Sequence, residues 1–283
     1  MTAAIGAGQS PLHLTMEEMR IVTALVYRLT GMIFGDNKRY YIERRLADRM
    51  KRSGAGDARA YLRRVETDGE ERQALINAFT INETYFFRED YQLKALSDQI
   101  LPEIVRTKKP GDLLRIWSLP CSTGDEAYSI AIWLLEHWPL VDAYNVEIVG
   151  SDIDTAMIAA AKEGRYAARA LNRLSPELVE RYFEPEHRHQ RKIIDDLRES
   201  VTFTVANLID PQSAAAQGRF DVILCRNLLI YFDDASRKIA AETLFDRLHA
   251  GGFLCLGHSE SMARISDRFD FVRLDDAIVY RRP

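Results

Sequence analysis

The chain reads as an α/β protein: a small N-terminal helical domain, then a doubly wound, mostly parallel sheet with an inserted subdomain and a closing antiparallel hairpin. Three patterns carry this reading. From residue 15 to 99 apolar residues recur at helical spacing, with no strand-like alternation between them. From residue 113 onward, short branched apolar runs alternate with helical patterns, as in a parallel sheet covered on both faces. The last two strand-like runs, 269–274 and 277–281, lie too close for a crossover helix and must pair as a hairpin.

Residues 1–14 carry no basic segment followed by an apolar core, so they are expected to be a disordered lead and not a secretory signal. Thr15 and Glu18 form a capping-box pattern ahead of Met19, Val22, Val26 and Leu29, and Gly31 ends that helix. A second helix is expected from Asp36 to Arg52, a third over 58–67, a fourth over about 70–80 and a fifth from Asp90 to Ser97 or beyond. The helical domain is therefore placed at 15–99. A linker follows at 100–112, marked by Lys108-Lys109-Pro110-Gly111.

Strands are expected at 113–120, 146–153, 201–206, 220–226 and 252–257, with helices at 127–136, 156–162 and 235–248 between them, in a domain spanning 113–283. Residues 164–200 exceed what one crossover needs and read as the inserted subdomain. Ser175-Pro176 caps a helix inside it. His187 and His189 fall in its very polar run and are read as solvated surface, so no metal is expected.

No apolar run approaches the ~20 residues that cross a bilayer. Three isolated cysteines (Cys121, Cys225, Cys255) sit in apolar runs without ligand spacing, which suits core residues in a reducing cytoplasm. The net charge of −4 hides an asymmetry. Between Asp36 and Arg64 ten basic residues face four acids, so this stretch carries +6 and the remainder −10. An acidic partner docking on the N-terminal part follows from that polarity. Nucleic acid fits poorly with the overall acidity.

The most specific stretch is the turn after the first sheet strand, Cys121-Ser122-Thr123-Gly124, followed by Asp125 and Glu126. A phosphate-binding turn wants several glycines and no adjacent negative charge. One glycine and two acids exclude a dinucleotide and suit a cationic or zwitterionic ligand, for which S-adenosylmethionine is the candidate. Three more clusters belong at strand carboxyl ends, where such sheets bind ligands. Asp152 can grip both ribose hydroxyls, Asp154 being the N-cap of the next helix. Asn207 and Leu208 suit the adenine. The run Cys225 to Phe232 lies over the transferring methyl. A fifth cluster, Asn82 to Arg88, surrounds aromatics with polar residues; taken alone it reads as an amphipathic junction between helices, a reading that weakens beside the rest of the chain.

NETYFFRE, WSLPCSTGDEAYSIA, GSDID, FDVILCRNLLIYFD and GHSES, in that order, resemble the chemotaxis receptor glutamate methyltransferases, the CheR family, across about residues 15–281. The resemblance implies S-adenosylmethionine as methyl donor, with S-adenosylhomocysteine as product. It implies cofactor binding by Asn82, Thr84, Arg88, Glu126, Asp152, Asn207, Leu208, Asn227 and Leu228, and orientation of the substrate carboxylate by Arg88 and Tyr231. It also implies receptor docking by the second helix, here Arg45, Arg49 and Lys51. The expected protein is a monomer at receptor arrays, without membrane insertion, methylating glutamates in the cytoplasmic signalling domain of methyl-accepting receptors. Ala127 replaces a proline common in the family, and Asp48 interrupts the basic helix face. The 183–201 segment lacks the glycine-rich loop of members that grip a receptor-tail pentapeptide, so independence from that tether is expected.

Overall fold

A computed structural model describes residues 12–283, which separate into two units between Thr80 and Ile81. In the first unit, α1 (Met16–Thr30) begins at the foreseen capping box: Glu18 N–H donates to Thr15 Oγ1 (3.2 Å) and Thr15 N–H to the Glu18 carboxylate (2.9 Å). Gly31, at φ 72°, ends it. α2 (Arg39–Ser53), α3 (Ala58–Thr67) and α4 (Gly69–Phe79) follow, with Asp57 and Asp68 capping the last two. Val22, Val26, Ile42, Leu46, Tyr61, Val65, Leu75 and Phe79 form their shared core. The expected disordered lead is corrected at its end: Leu14 is buried in this core and its N–H donates to Glu43 (3.0 Å). Residues 1–11 lie outside the described residues.

The domain boundary also differs from the expectation. α5 (Asp90–Ala95), a π turn at Leu96–Ile100 and α6 (Leu101–Val105) run on from one another. Their Leu93, Leu96, Ile100, Leu101 and Ile104 enter the same core as Leu114 and Ile116 of the sheet. Residues 81–99 thus belong with the sheet, and the expected 100–112 linker shrinks to the turn after α6. Helical periodicity marks a buried face but not which core that face joins.

The sheet unit holds β1 (Leu113–Ser118), α7 (Asp125–His137), β2 (Asn145–Asp152), α8 (Thr155–Glu163), β3 (Arg165–Ala167), α9 (Pro176–Tyr182), β4 (Gln190–Lys192), α10 (Asp195–Glu199) and β5 (Val201–Val205). α11 (Pro211–Ala215), β6 (Phe220–Cys225), α12 (Asp234–Arg247), β7 (Leu248–Leu256), β8 (Asp270–Arg273) and β9 (Ile278–Arg281) complete it. Seven strands pair in the order β5-β2-β1-β6-β7-β9-β8, parallel up to β7 and antiparallel at β9 and β8. The foreseen hairpin is that edge. β3 and β4 pair separately as an antiparallel ribbon and form, with α9, the insert. Strand order reverses between β1 and β6, so their carboxyl ends frame the crevice where open α/β sheets bind ligands.

Candidate active site

The turn between β1 and α7 sets the geometry. Gly124 sits at φ 88°, and a Cβ there would come within 3.0 Å of both Ala161 and Phe203, so only glycine closes this turn. The two acids after it part company. Asp125 turns inward onto Thr123 Oγ1 (2.6 Å), and burial pushes its carboxyl up to about 6. Glu126 faces the crevice, accepting from Ser118 Oγ (2.8 Å) and from Arg226 Nη1 (2.8 Å). At the end of β2, Asp152 accepts from the backbone N–H groups of Ser122 (2.8 Å) and Asp154 (2.9 Å). Burial outweighs those donors and pushes Asp152 up to about 6. Asp154 caps α8 as foreseen, bonding Ala156 N and Met157 N.

Glu126 and Asp152 stand on the wall of a cleft of about 570 Å³, its open mouth included. Asn82, Thr84 and Arg88 share that wall. Their segment is anchored by its aromatics. The Phe86 ring meets Tyr166 and Phe183 edge-on, at 4.8 and 5.3 Å, and its N–H donates to Ala170 O (3.0 Å). Phe87 donates its N–H to Ser129 Oγ (3.0 Å) and packs on Trp133 (5.4 Å). Tyr166, Ala170 and Phe183 all come from the insert, which therefore buttresses the site. Asn82 Nδ2 reaches Asp154 Oδ2 (3.0 Å). Arg88 Nη1 donates to Glu83 O (2.7 Å), and the guanidinium lies over the Tyr85 ring (5.7 Å).

Sequence reasoning missed Arg226, the most buried cation on the cleft wall at 5% exposure. Its guanidinium sits between Glu126 (2.8 Å) and Glu89 (3.2 Å) and donates to Arg88 O (2.6 Å). Glu89 passes its other oxygen to His258 Nδ1 (2.7 Å). Burial raises Glu126 more than Arg226 and Ser118 lower it. For Glu89, burial also pushes upward, but Arg226 and His258 outweigh it and hold the carboxyl below its ordinary range. The signal was present: an arginine directly after the fully apolar strand Val-Ile-Leu-Cys needs buried carboxylate partners.

Glu260 was also missed. It accepts three backbone N–H groups: Asn227 (2.7 Å), Leu229 (2.7 Å) and Gly257 (2.8 Å). Asn227, on the cleft wall, is thereby held at φ 60°. Phe87, Glu89 and Ser122 also have left-handed backbones, and such residues concentrate at functional sites.

Other expected residues lie elsewhere. Asn207, Leu208, Leu228 and Tyr231 are not on the cleft wall. Asn207 Oδ1 caps its own turn at Ile209 N (3.2 Å), Leu208 is buried, and Tyr231 closes a 3₁₀ turn on Leu228 O. Within the helical unit, Arg49, expected to dock on the receptor, is held by an internal partner. Its guanidinium grips both oxygens of Glu71 at 2.8 Å, and Tyr61 donates to the same carboxylate (2.8 Å). Arg45 lies over the Tyr41 ring (4.8 Å) and Lys51 is exposed. The three thiols are buried, and burial raises each pKa. His187 and His189 are exposed, as expected. Among the described residues no group of His, Cys, Asp and Glu is placed to hold a metal, and no helix is long and apolar enough to cross a membrane.

The cleft has the chemistry of an adenosyl donor. Two carboxylates can accept from ribose hydroxyls or an ammonium, and Ser122 Oγ and Arg226 Nε line the cleft buried without a hydrogen-bond partner. Together with the sheet order, this defines an S-adenosylmethionine-dependent methyltransferase. Residues 82–278 match the SAM-binding domain of CheR methyltransferase, and residues 17–80 match its all-alpha domain. The chain belongs to the CheR methyltransferase family. Chemotaxis protein methyltransferase 2 of Vibrio cholerae is 46% identical over 259 residues, covering 91% of this chain and 90% of that one. Chemotaxis protein methyltransferase 1 of Pseudomonas aeruginosa is 33% identical over 270 residues, covering 93% and 97%. Chemotaxis protein methyltransferase Cher2 of Pseudomonas putida is 32% identical over 275 residues, covering 95% and 98%.

Proposed function

We propose that this methyltransferase esterifies glutamate side chains in the cytoplasmic signalling domain of methyl-accepting chemotaxis receptors, tuning adaptation of their signal. The observation that carries this reading is a donor cleft whose wall combines two acceptor carboxylates with a half-buried arginine, Arg88. When bound, S-adenosylmethionine supplies an electrophilic methyl group. Asp152 would take the ribose, and Glu126 with Asn82 and Thr84 the methionine part. Arg88 would orient the incoming carboxylate by charge-assisted hydrogen bonds.

A glutamate with an ordinary pKa of about 4.3 is already ionised at neutral pH, so the acceptor needs no general base. What remains is placement of one oxygen ~3 Å from the methyl carbon and exclusion of water. The docking reading now rests on the exposed cations Arg44, Lys51 and Arg52 of α2, with Arg45 beside them. The protein would work as a monomer at cytoplasmic receptor arrays, without a pentapeptide tether.

Tritiated-methyl labelling of a receptor signalling domain tests the reading. The expected result is label released as methanol by mild base. Base-stable label, or none, contradicts it.

A further inference from the structure

The donor cleft uses only part of the sheet's carboxyl edge, the ends of β1, β2 and β6. Beyond β6 and β7 lies a wider groove of about 1240 Å³ including its open mouth. One wall is the start of α12, with Arg237 and Lys238; the other is the loop after β7, with Glu260 and Arg264. Leu229 and Ile230 line it from the segment that follows β6.

We propose that this groove seats an acidic, amphipathic stretch of the methyl-accepting protein that flanks the modified glutamate. The inference rests on the receptor-methylation reading above and adds a contact on the sheet unit, separate from α2. Three observations support it. The cleft and the groove share one short segment: Asn227 lines the cleft, while Leu229 and Ile230 line the groove. A polypeptide that inserts one side chain into the cleft must lay its neighbours close by.

The groove also carries more cations than acids, with Arg237, Lys238 and Arg264 against Asp234 and Glu260. Lys238 and Arg264 are exposed, and no carboxylate of the described residues lies within ion-pair distance of either. Of the two acids in the lining, Glu260 already accepts three N–H groups and Asp234 pairs with Arg237 (3.3 Å). Finally, Ile230 is 43% exposed at this groove, an apolar contact for the other face of an amphipathic segment. The shared segment is tied at both backbone groups of Leu229, whose O accepts from Arg237 Nε (3.0 Å) and whose N–H donates to Glu260 (2.7 Å).

The test compares two charge-reversed pairs in the full-length enzyme, with a soluble receptor signalling fragment as substrate. In Lys238→Glu/Arg264→Glu the KM for the fragment should rise roughly tenfold and its salt dependence should flatten. S-adenosylhomocysteine affinity, measured by calorimetry on the same variant, should stay within about twofold of the parent, since surface charges act weakly on distant sites. Lys162→Glu/Arg188→Glu imposes the same change in net charge at exposed positions elsewhere on the unit and should leave KM within about twofold. An unchanged KM in the first variant, or an equal rise in both, overturns the groove. Absence of methyl transfer by the parent enzyme overturns the receptor reading itself.

Discussion

Asp152 shows how one side chain sets a condition on binding. Backbone donors hold it, those of Ser122 and Asp154 among them, but no cation of the described residues pairs with it, and burial leaves its carboxyl at about 6 instead of 3.8. Ribose hydroxyls need the ionised form. S-adenosylhomocysteine affinity should therefore be level above pH 7, fall through pH 6 and be roughly tenfold weaker at pH 5. Calorimetry across that range, with Asp152→Asn as the variant that loses the dependence, checks this; equal affinity at pH 7 and pH 5 contradicts it. The stability effect has the opposite sense. The native carboxyl binds its proton more tightly than the unfolded one, so its contribution is full below pH 3.8 and is lost as pH rises through about 6. Asp125, also raised to about 6, adds in the same direction.

Glu260 offers a second test among single residues. Glu260→Ala orphans three N–H groups and should destabilise the sheet unit by about 3 kcal/mol in urea unfolding. It should also weaken S-adenosylhomocysteine binding, because Asn227 loses the contact that fixes its backbone. Neither acid role was readable in the same way. Asp152 stood at a strand end, where topology points to a ligand. Glu260 lay in a Ser-Glu-Ser stretch whose value appears only once the loop after β6 folds over it.

Among the elements, local chemistry made most boundaries readable. The capping box of α1, the Ser-Pro start of α9 and the branched runs of the five parallel strands each specify their own structure. The fate of α2's cations was not readable, because helical spacing cannot say which arginine meets a buried glutamate on α4. This separates Arg49 from Lys51. Arg49→Ala should destabilise the helical unit by about 3 kcal/mol, since it leaves Glu71 buried without its cation. Lys51→Ala should leave the melting temperature unchanged and weaken receptor binding. Titration of both variants with a receptor fragment, beside thermal melts, distinguishes the two roles.

The segment 82–88 depends on the insert in a comparable way. Phe86→Ala empties the pocket made by Tyr166 and Phe183 and should cost about 4 kcal/mol, with a matching loss of cofactor affinity. Phe86→Leu should retain most of both. Full cofactor affinity in the alanine variant would separate the aromatic anchor from the site.

Taken across the chain, class and ligand were legible because the β1–α7 turn excludes phosphate by its own composition. The unit boundary was not, since the apolar faces of α5 and α6 could have served either core. Nor was the cleft's full wall: Asn207, Leu208, Leu228 and Tyr231 follow the right strands but do not line it, while Arg226 is drawn in by Glu89 and Glu126. If receptor docking is electrostatic, the KM for a receptor fragment should rise with salt over the range where the Debye length falls below about 10 Å. A crystal structure with S-adenosylhomocysteine bound tests the account most directly. The ribose should lie within hydrogen-bond reach of Asp152, with the sulfur facing Asn227 and Arg88 left open to the substrate. A ligand seated away from the Asp152–Glu126 wall would contradict it.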